Sequence, residues 1–385
     1  MNCRRAPDAT AQPRLVSALQ PPVRVGVVGC GNVLGAYLQA SEPLRARGLI
    51  ELVAACGRET QRARVVNEIG VPSFTTDYQE LVRSPQVDLV LVLTSMKDHA
   101  PITRAALEAG KHVLVEKPLA TSLEDAAQLV ALARRSPGHL VCAPFTTLSP
   151  TFQAIARHVR RGDVGKVVSA RARYGWAGPW WSEWFYKLGG GCLFDLGVYC
   201  VTTLTGLLGP VKRVMAMTGV AIPEREINGR RIRVEAEDNV QVLLDFGEAT
   251  FAVVTTGFTI QQYRCPALEL YGTTGTIQML GDDWDPDGYE LWQNERGCWQ
   301  VFKETAPDWP WTDGLRHTVD CIREGKKPLV LPEHAYHVLE IMLQAQQSAR
   351  EGRALPIQSA FTSPVFADSA AIGSAHLLHD RTRKE

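Results

Sequence analysis

The stretch Arg24-Val-Gly-Val-Val-Gly29-Cys-Gly31-Asn32-Val33-Leu-Gly35 constrains this chain more than any other. An apolar strand runs into a Gly-x-Gly turn, and an apolar-periodic helix follows. Such a turn sets an anion, typically a dinucleotide pyrophosphate, against the unpaired N–H groups at a helix N-terminus. Gly29 and Gly31 fill the first two positions of the dinucleotide fingerprint. The third falls on Leu34, with Gly35 one place late. The turn alone is a weak signal; its place at the head of the first βα unit strengthens it, and Gly29, Gly31, Asn32 and Val33 become candidate cofactor contacts. An acid for the ribose 2′-OH is expected about 20 residues further on. Gly57 stands there instead, followed by Arg58 and Glu59. A guanidinium beside the ribose suits a 2′-phosphate, so the expected cofactor is NADP or NAD with a lean toward NADP. Glu59 remains an alternative partner for a 2′-OH.

With 385 residues the chain exceeds what one core usually supports, so two domains are expected. The 41 basic and 41 acidic residues cancel. No basic field exists to hold nucleic acid or an anionic membrane. The basic run from Arg225 to Arg233 reads as a solvated hairpin or loop. Of nine cysteines none forms a C-x-x-C pair, and Cys30, Cys56, Cys142 and Cys200 lie inside apolar runs. Buried free thiols in a reducing compartment follow. Residues 1–21 lack an apolar core of the signal-peptide kind and read as a mobile tail. No apolar run reaches the roughly 20 residues of a membrane span. The expected location is the cytoplasm.

From 22 to 145 the pattern is α/β alternation. Strands read at 23–29, 50–56, 87–93, 112–115 and 139–142, with helices at 34–47, 59–69, 98–109 and 122–134 between them. Near-continuous apolar runs such as Val87-Asp-Leu-Val-Leu-Val-Leu93 imply burial on both faces, hence a doubly wound parallel sheet of the Rossmann kind. Gly110 fits the position after a helix C-terminus. From 146 to 355 an α+β domain with an open-faced, mostly antiparallel sheet is expected. A helix at 151–161 and an alternating strand at 167–174 lead to an aromatic-rich loop. Strands follow at 211–221, 232–245, 249–259, 267–271 and 275–280, and helices at 311–324 and 333–351 close this domain. Residues 356–385 read as a C-terminal tail. A sheet covered on one face leaves the other to a second subunit, so a homodimer or homotetramer built through the open sheet is expected.

Three segments should meet at the reactive end of the cofactor. Thr94 to His99 follow one strand, Glu116-Lys117-Pro118 follow the next, and Gly189-Gly-Gly-Cys-Leu-Phe-Asp195-Leu-Gly-Val-Tyr199 opens a helix. Asp195 and Tyr199, four apart, share a helix face. A Lys amine, a carboxylate and a phenol facing one cavity form a proton relay: the Lys holds a substrate hydroxyl, the acid orients the Lys, and the phenol moves a proton. Taken singly, each has a bland reading as a surface lysine, a capping acid and a core aromatic.

At these residues the chain resembles the glucose–fructose oxidoreductase / inositol dehydrogenase / MocA family. The resemblance spans about 22–355 and rests on Gly29-Cys-Gly-Asn32, on Ala109-Gly-Lys-His-Val-Leu-Val-Glu-Lys-Pro118 and on the Gly189 to Tyr199 segment. It implies NAD(P)-dependent transfer of a hydride to or from a secondary alcohol or ketone of a sugar, polyol or related cyclic alcohol. It maps the family lysine to Lys117 and the helix acid to Asp195. Many members carry His where Tyr199 stands; the glucose–fructose oxidoreductase and dihydrodiol dehydrogenase branches resemble this chain in using Tyr. Thr94, His99, Glu116 and Lys117 are expected beside the cofactor.

Trp176, Trp180, Trp181 and Trp184 fall within nine residues before the catalytic helix. Packing explains such a cluster, and so does stacking on a sugar ring; at least one of Trp180, Trp181 and Trp184 is expected to touch substrate. Asp283 to Tyr289 is acidic and aromatic but lacks a calcium-loop arrangement, and no metal is assigned. Two other functions fit the same residues. One is redox-neutral glycoside processing with tightly held NAD. The other is a non-enzymatic nucleotide sensor, for which a Lys–Asp–Tyr relay has no use.

Overall fold

The apolar strand that opens the chain, Val23–Val28 (β1), forms the inner rail of a six-stranded parallel sheet. The computed structural model describes residues 21–364; the first twenty residues, and those after 364, lie outside it. Leu34–Ala46 (α1) crosses to Ile50–Cys56 (β2), and Ser73–Thr75 (β3) and Tyr78–Arg83 (α2) come next. Leu89–Val92 (β4), Met96–Glu108 (α3), His112–Val115 (β5), Leu123–Arg135 (α4) and Leu140–Cys142 (β6) complete the unit. The order β3-β2-β1-β4-β5-β6 reverses direction between β1 and β4. The crevice beyond the carboxyl ends of those two strands is where open α/β sheets hold ligands. All four β4 side chains are buried, as the unbroken apolar run requires.

The expected helix over 59–69 is instead a 3-10 turn, Glu59–Gln61, and a π turn, Arg64–Glu68. The Gln61 amide explains the break. It accepts from Arg58 N at 2.9 Å and donates to Cys30 O at 2.8 Å, tying the first turn to the end of β1. The two elements that the sequence left unread, β3 and α2, are three and six residues long, too short for a period to register.

Pro150–Arg161 (α5) leads into Val167–Gly175 (β7), and Val198–Leu208 (α6) follows the aromatic loop. Arg213–Gly219 (β8), the hairpin Glu224–Ile227 (β9) and Arg230–Arg233 (β10), Asn239–Gly247 (β11) and Thr250–Gly257 (β12) come next. Leu268–Gly272 (β13), Gly275–Asp282 (β14), Asp285–Gln293 (β15) and Cys298–Lys303 (β16) extend the sheet outward. Gly314–Glu324 (α7), Pro332–Glu351 (α8) and the short Leu355–Pro356 (β17) end the described chain. Nine strands pair in the order β16-β15-β14-β13-β7-β12-β11-β8-β17, and β7 with β12 is the one parallel pair.

Four expectations change here. The strand expected from 232 starts at 239, because Asn228 and Gly229 (φ 49° and 74°) turn β9 back on β10 as a hairpin. Strands β15 and β16 are absent from the expected set, since Asp285-Pro-Asp-Gly288 carries turn residues into the start of β15. Helix α7 covers the parallel sheet, against α1, β1, β5 and β6, with Leu315 and Val319 in that core, so it does not close the second sheet. Residues 357–364, expected as tail, strap α8. Glu340 accepts from Gln358 N and Ser359 N at 2.9 Å each, and Phe361 stacks on His334 at 4.1 Å.

Helices α5, α6 and α8 lie on one face of the large sheet. Along β11, Val240, Val242 and Leu244 are buried on that face while Leu243 points the other way. Phe251 and Val253 on β12, and Met215 and Met217 on β8, join Leu243 among the exposed apolar side chains. The open face is therefore apolar as well as uncovered.

Candidate active site

At the end of β1 the backbone presses on the end of β4. A Cβ at Gly29 (φ 106°) would lie 2.5 Å from the Leu93 carbonyl and 2.8 Å from Thr94 N, so only glycine fits. Around Gly31 the space is open to 4 Å. The N–H groups of Gly31, Asn32 and Val33 donate to no protein acceptor, and α1 begins without a side-chain cap or an acid in its first turn. The hydroxyl of Thr94 is buried without a partner. A glycine cradle, free N–H donors and an orphaned hydroxyl fit a dinucleotide laid over this edge. Arg58 is exposed just past the end of β2, and its guanidinium has no hydrogen-bond acceptor among the described residues. Glu59 is engaged elsewhere, in a pair with Arg62 at 2.7 Å.

His99, expected beside the cofactor, is held from within the protein. Its ring is buried between Pro118 O (2.7 Å) and Thr94 O (3.1 Å), and burial lowers its pKa. It fastens the Thr94 loop to the Lys117–Pro118 segment. Glu116 is likewise held from within: Oε1 accepts from Tyr37 Oη at 2.7 Å and Oε2 from Lys117 N at 3.2 Å.

Lys117, Asp195 and Tyr199 come together. Lys117 Nζ donates to Asp195 O (2.7 Å) and to Asp195 Oδ1 (2.8 Å), with the two side chains 12% and 15% exposed. An ammonium carries three donors, so one remains for a ligand. The same Nζ stands 5.3 Å from the Tyr199 ring centroid. The backbone of Leu193–Gly197 makes a π turn before α6, which sets Asp195 and Tyr199 on one face. Burial, then the charge on Glu116, pushes the Tyr199 phenol well above its ordinary pKa. It is therefore a neutral O–H, and among the described residues it has no hydrogen-bond acceptor.

The wall behind Tyr199 was not read from the sequence. Tyr174, on β7, meets the Tyr199 ring edge-on at 5.6 Å, and Trp284 stacks on Tyr174 at 6.0 Å. Asp283, next to Trp284 in the β14–β15 turn, is buried, and its Oδ2 accepts from Thr203 Oγ1 at 3.0 Å, one turn beyond Tyr199. Its Oδ1 has no protein partner. Desolvation pushes this carboxyl up to about 7. The mixture of Asp, Trp and Tyr at 283–289 was its only trace in the sequence. Trp180, Trp181 and Trp184 make no ring contact with Lys117, Asp195 or Tyr199; Trp181 stacks on Trp176 at 5.6 Å. A separate cleft of about 420 Å³ opens beside Phe194, between Met96, Thr121, Glu237 and Arg350. It contains none of the relay side chains.

Residues 23–142 match the family model of the oxidoreductase family with an NAD-binding Rossmann fold, and residues 152–278 match that family's C-terminal domain. The chain belongs to the Gfo/Idh/MocA family. It is an NAD(P)-dependent oxidoreductase acting on CH–OH groups. Trans-1,2-dihydrobenzene-1,2-diol dehydrogenase of Oryctolagus cuniculus is 28% identical over 344 residues, covering 84% of this chain and 97% of that protein. The Danio rerio enzyme of the same name is 29% identical over 337 residues, covering 84% and 96%. Levoglucosan dehydrogenase, solved with NADH and levoglucosan, superposes with a TM-score of 0.77 at 21% identity, covering 88% of this chain and 100% of that one. At that identity the likeness is one of fold.

The buried Asp283 makes a pH-dependent prediction. Unfolded, this carboxyl ionises near its ordinary 3.8; folded, it does so at about 7. Between those values the folded state keeps a proton that the unfolded state has lost, so stability falls as pH rises through the window. Asp283→Asn removes that loss. The melting temperature of the variant relative to the parent should be higher at about pH 8 than at about pH 5. A constant or reversed gap means that the folded carboxyl ionises normally.

Proposed function

We propose that the enzyme oxidises or reduces one secondary alcohol or ketone carbon of a sugar, polyol or related cyclic alcohol, with Lys117, Asp195 and Tyr199 as the catalytic residues. The observation that carries this reading is the third, unused donor of Lys117 beside a phenol without a partner. A bound nicotinamide supplies the hydride acceptor or donor. Lys117 points its free N–H at the substrate oxygen, fixing it and stabilising negative charge on it. Asp195, through its main-chain and side-chain oxygens, holds the ammonium in that direction. Tyr199 gives its proton to the oxygen when a ketone is reduced, leaving a phenolate beside the Lys117 ammonium; alcohol oxidation is the reverse step and starts from that phenolate, its proton having first been lost to solvent. The partners of Glu116 and His99 keep both strand ends rigid, which suits a site that needs its groups fixed before the substrate arrives. A cyclic substrate agrees with the aromatic wall of Tyr174 and Trp284, and the Oryctolagus relative is itself named for a cyclic diol. Lys117→Ala should lower kcat/KM by about 10²–10⁴-fold while cofactor still binds. A variant within about threefold of the parent would remove Lys117 from the role.

NADP is the cofactor that the second strand favours, because Arg58 is unengaged while Glu59 is bound to Arg62. Gly31, Asn32 and Val33 would hold the pyrophosphate, and Thr94 and Glu116 flank the reactive end. Arg58→Ala should raise KM for NADPH by about tenfold and leave KM for NADH nearly unchanged, as loss of one charge-assisted contact predicts. Equal effects on both cofactors would take Arg58 away from the 2′-phosphate.

Two copies would pair through the open sheet as a homodimer or the half of a homotetramer, because Phe251, Val253, Leu243 and Met217 (75% exposed) form one apolar face. Val253→Arg should lower the mass found by sedimentation by at least half. An unchanged mass would place the contact elsewhere. Six of the described cysteines are buried and all eight are free, which supports a reducing compartment such as the cytoplasm.

A further inference from the structure

The tryptophans before the catalytic helix are not in the core. Trp180 is 65% exposed, Trp181 37% and Trp184 42%, although tryptophan is among the side chains with most to gain from burial. They are nonetheless held firmly from behind. Asn228, at the tip of the β9–β10 hairpin, donates its backbone N–H to Trp180 O (3.1 Å) and its side-chain amide to Trp181 O (2.9 Å). Arg225, on the same hairpin, donates to Ala177 O at 2.5 Å. A second piece of chain thus fixes the loop backbone while the rings face solvent.

These rings continue the wall of the reacting centre. Tyr199 meets Tyr174. Tyr174 and Trp176 are two residues apart along β7 and its end, hence on the same side, about 7 Å along the strand. Trp176 stacks on Trp181 with 26° between the planes, and Trp180 stands edge-on to Trp181 at 5.8 Å. The track leads from the phenol out to solvent. Among the described residues none accepts from the indole N–H groups of Trp176, Trp180, Trp181 and Trp184. Flat apolar faces bordered by free donors suit a ring whose C–H face stacks while its polar edge hydrogen-bonds. A single sugar ring seated at Lys117 leaves this track bare.

We infer that the substrate carries two rings: the ring that is oxidised sits at Lys117 and Tyr199, and a second ring attached to it lies on Trp176, Trp181 and Trp180. The substrate class is then a glycoside. A sugar and an aromatic aglycone present the same stackable face, and the experiment separates them. The inference rests on the function proposed above and adds the length of the substrate to it.

The test compares kcat and KM for a panel of free hexoses, their phenyl glycosides and the matching disaccharides, with the parent, Trp181→Ala and Trp181→Phe. For at least one two-ring class the parent should show kcat/KM about tenfold or more above the free hexose. Trp181→Ala should remove that advantage through KM, with kcat changing far less, and Trp181→Phe should restore most of it. Phenyl glycosides ahead of disaccharides identify an aromatic aglycone; the reverse order identifies a second sugar. If free hexoses and two-ring compounds are used equally well, the inference falls and the proposed function stands. If no alcohol in the panel is turned over, that function falls. Quenching of tryptophan fluorescence by the phenyl glycosides then decides the track alone: saturable quenching in the parent, lost in Trp181→Ala and restored in Trp181→Phe, supports it, and absence of quenching overturns it.

Discussion

The contact between Lys117 and Asp195 ties the parallel sheet to the mixed sheet at a polar point beside a hydrophobic core that the two sheets share. Lys117 ends a strand of the parallel sheet, and Asp195 stands in the turn that opens the helix lying over the mixed sheet. The pair is only slightly exposed, so its partners act at short range with little solvent between them. Breaking such a pair by removing one partner leaves an uncompensated charge, which costs far more than losing a surface ion pair. The position of the Tyr199 phenol beside the ammonium follows from keeping these two groups together. Glu116 and Tyr37 secure the strand side of the contact. The π turn secures the helix side by presenting the acid and the phenol together.

Much of this was legible in the sequence, and the reason is local. Gly29, Lys117 and Asp195 sit where strands and helices begin or end, and such positions carry residue types that periodic segments do not. The parallel sheet announced itself through unbroken apolar runs such as Leu89 to Val92. What stayed hidden depends on pairing across the chain. Tyr174 looks like any aromatic at a strand end until β7 meets the catalytic helix. Asp283 looks like a turn acid until the β14–β15 hairpin folds it beneath Thr203. Helix α7 has an ordinary amphipathic pattern, and the pattern says that it needs a core without saying which; it chose the first sheet. Gln61 is the same kind of case, a polar side chain whose two hydrogen bonds undo a helix that its neighbours favour.

Buried polar groups divide by what they do. His334 and His337 lie beneath residues 357–364, bonded to Thr205, to Ser359 and to the Val211 amide, with their pKa values pushed down to about 3 and about 4 by burial. These imidazoles are neutral structural parts. Asp283 and Tyr199 are moved by the same desolvation, yet they stand beside the relay, and each leaves a polar atom unclaimed by the protein.

Strand β7 occupies the middle of the nine-stranded sheet, hydrogen-bonded to β12 on one side and to β13 on the other, and it carries Tyr174 against Tyr199. A single segment is thus both the keel of the sheet and a wall of the pocket. A drifting lineage cannot reshape that wall without loosening the frame that supports it. The loops at 176–188 and at the β14–β15 turn carry no such double duty. Divergence among descendants of this enzyme should therefore be written in those loops, around a centre that stays still.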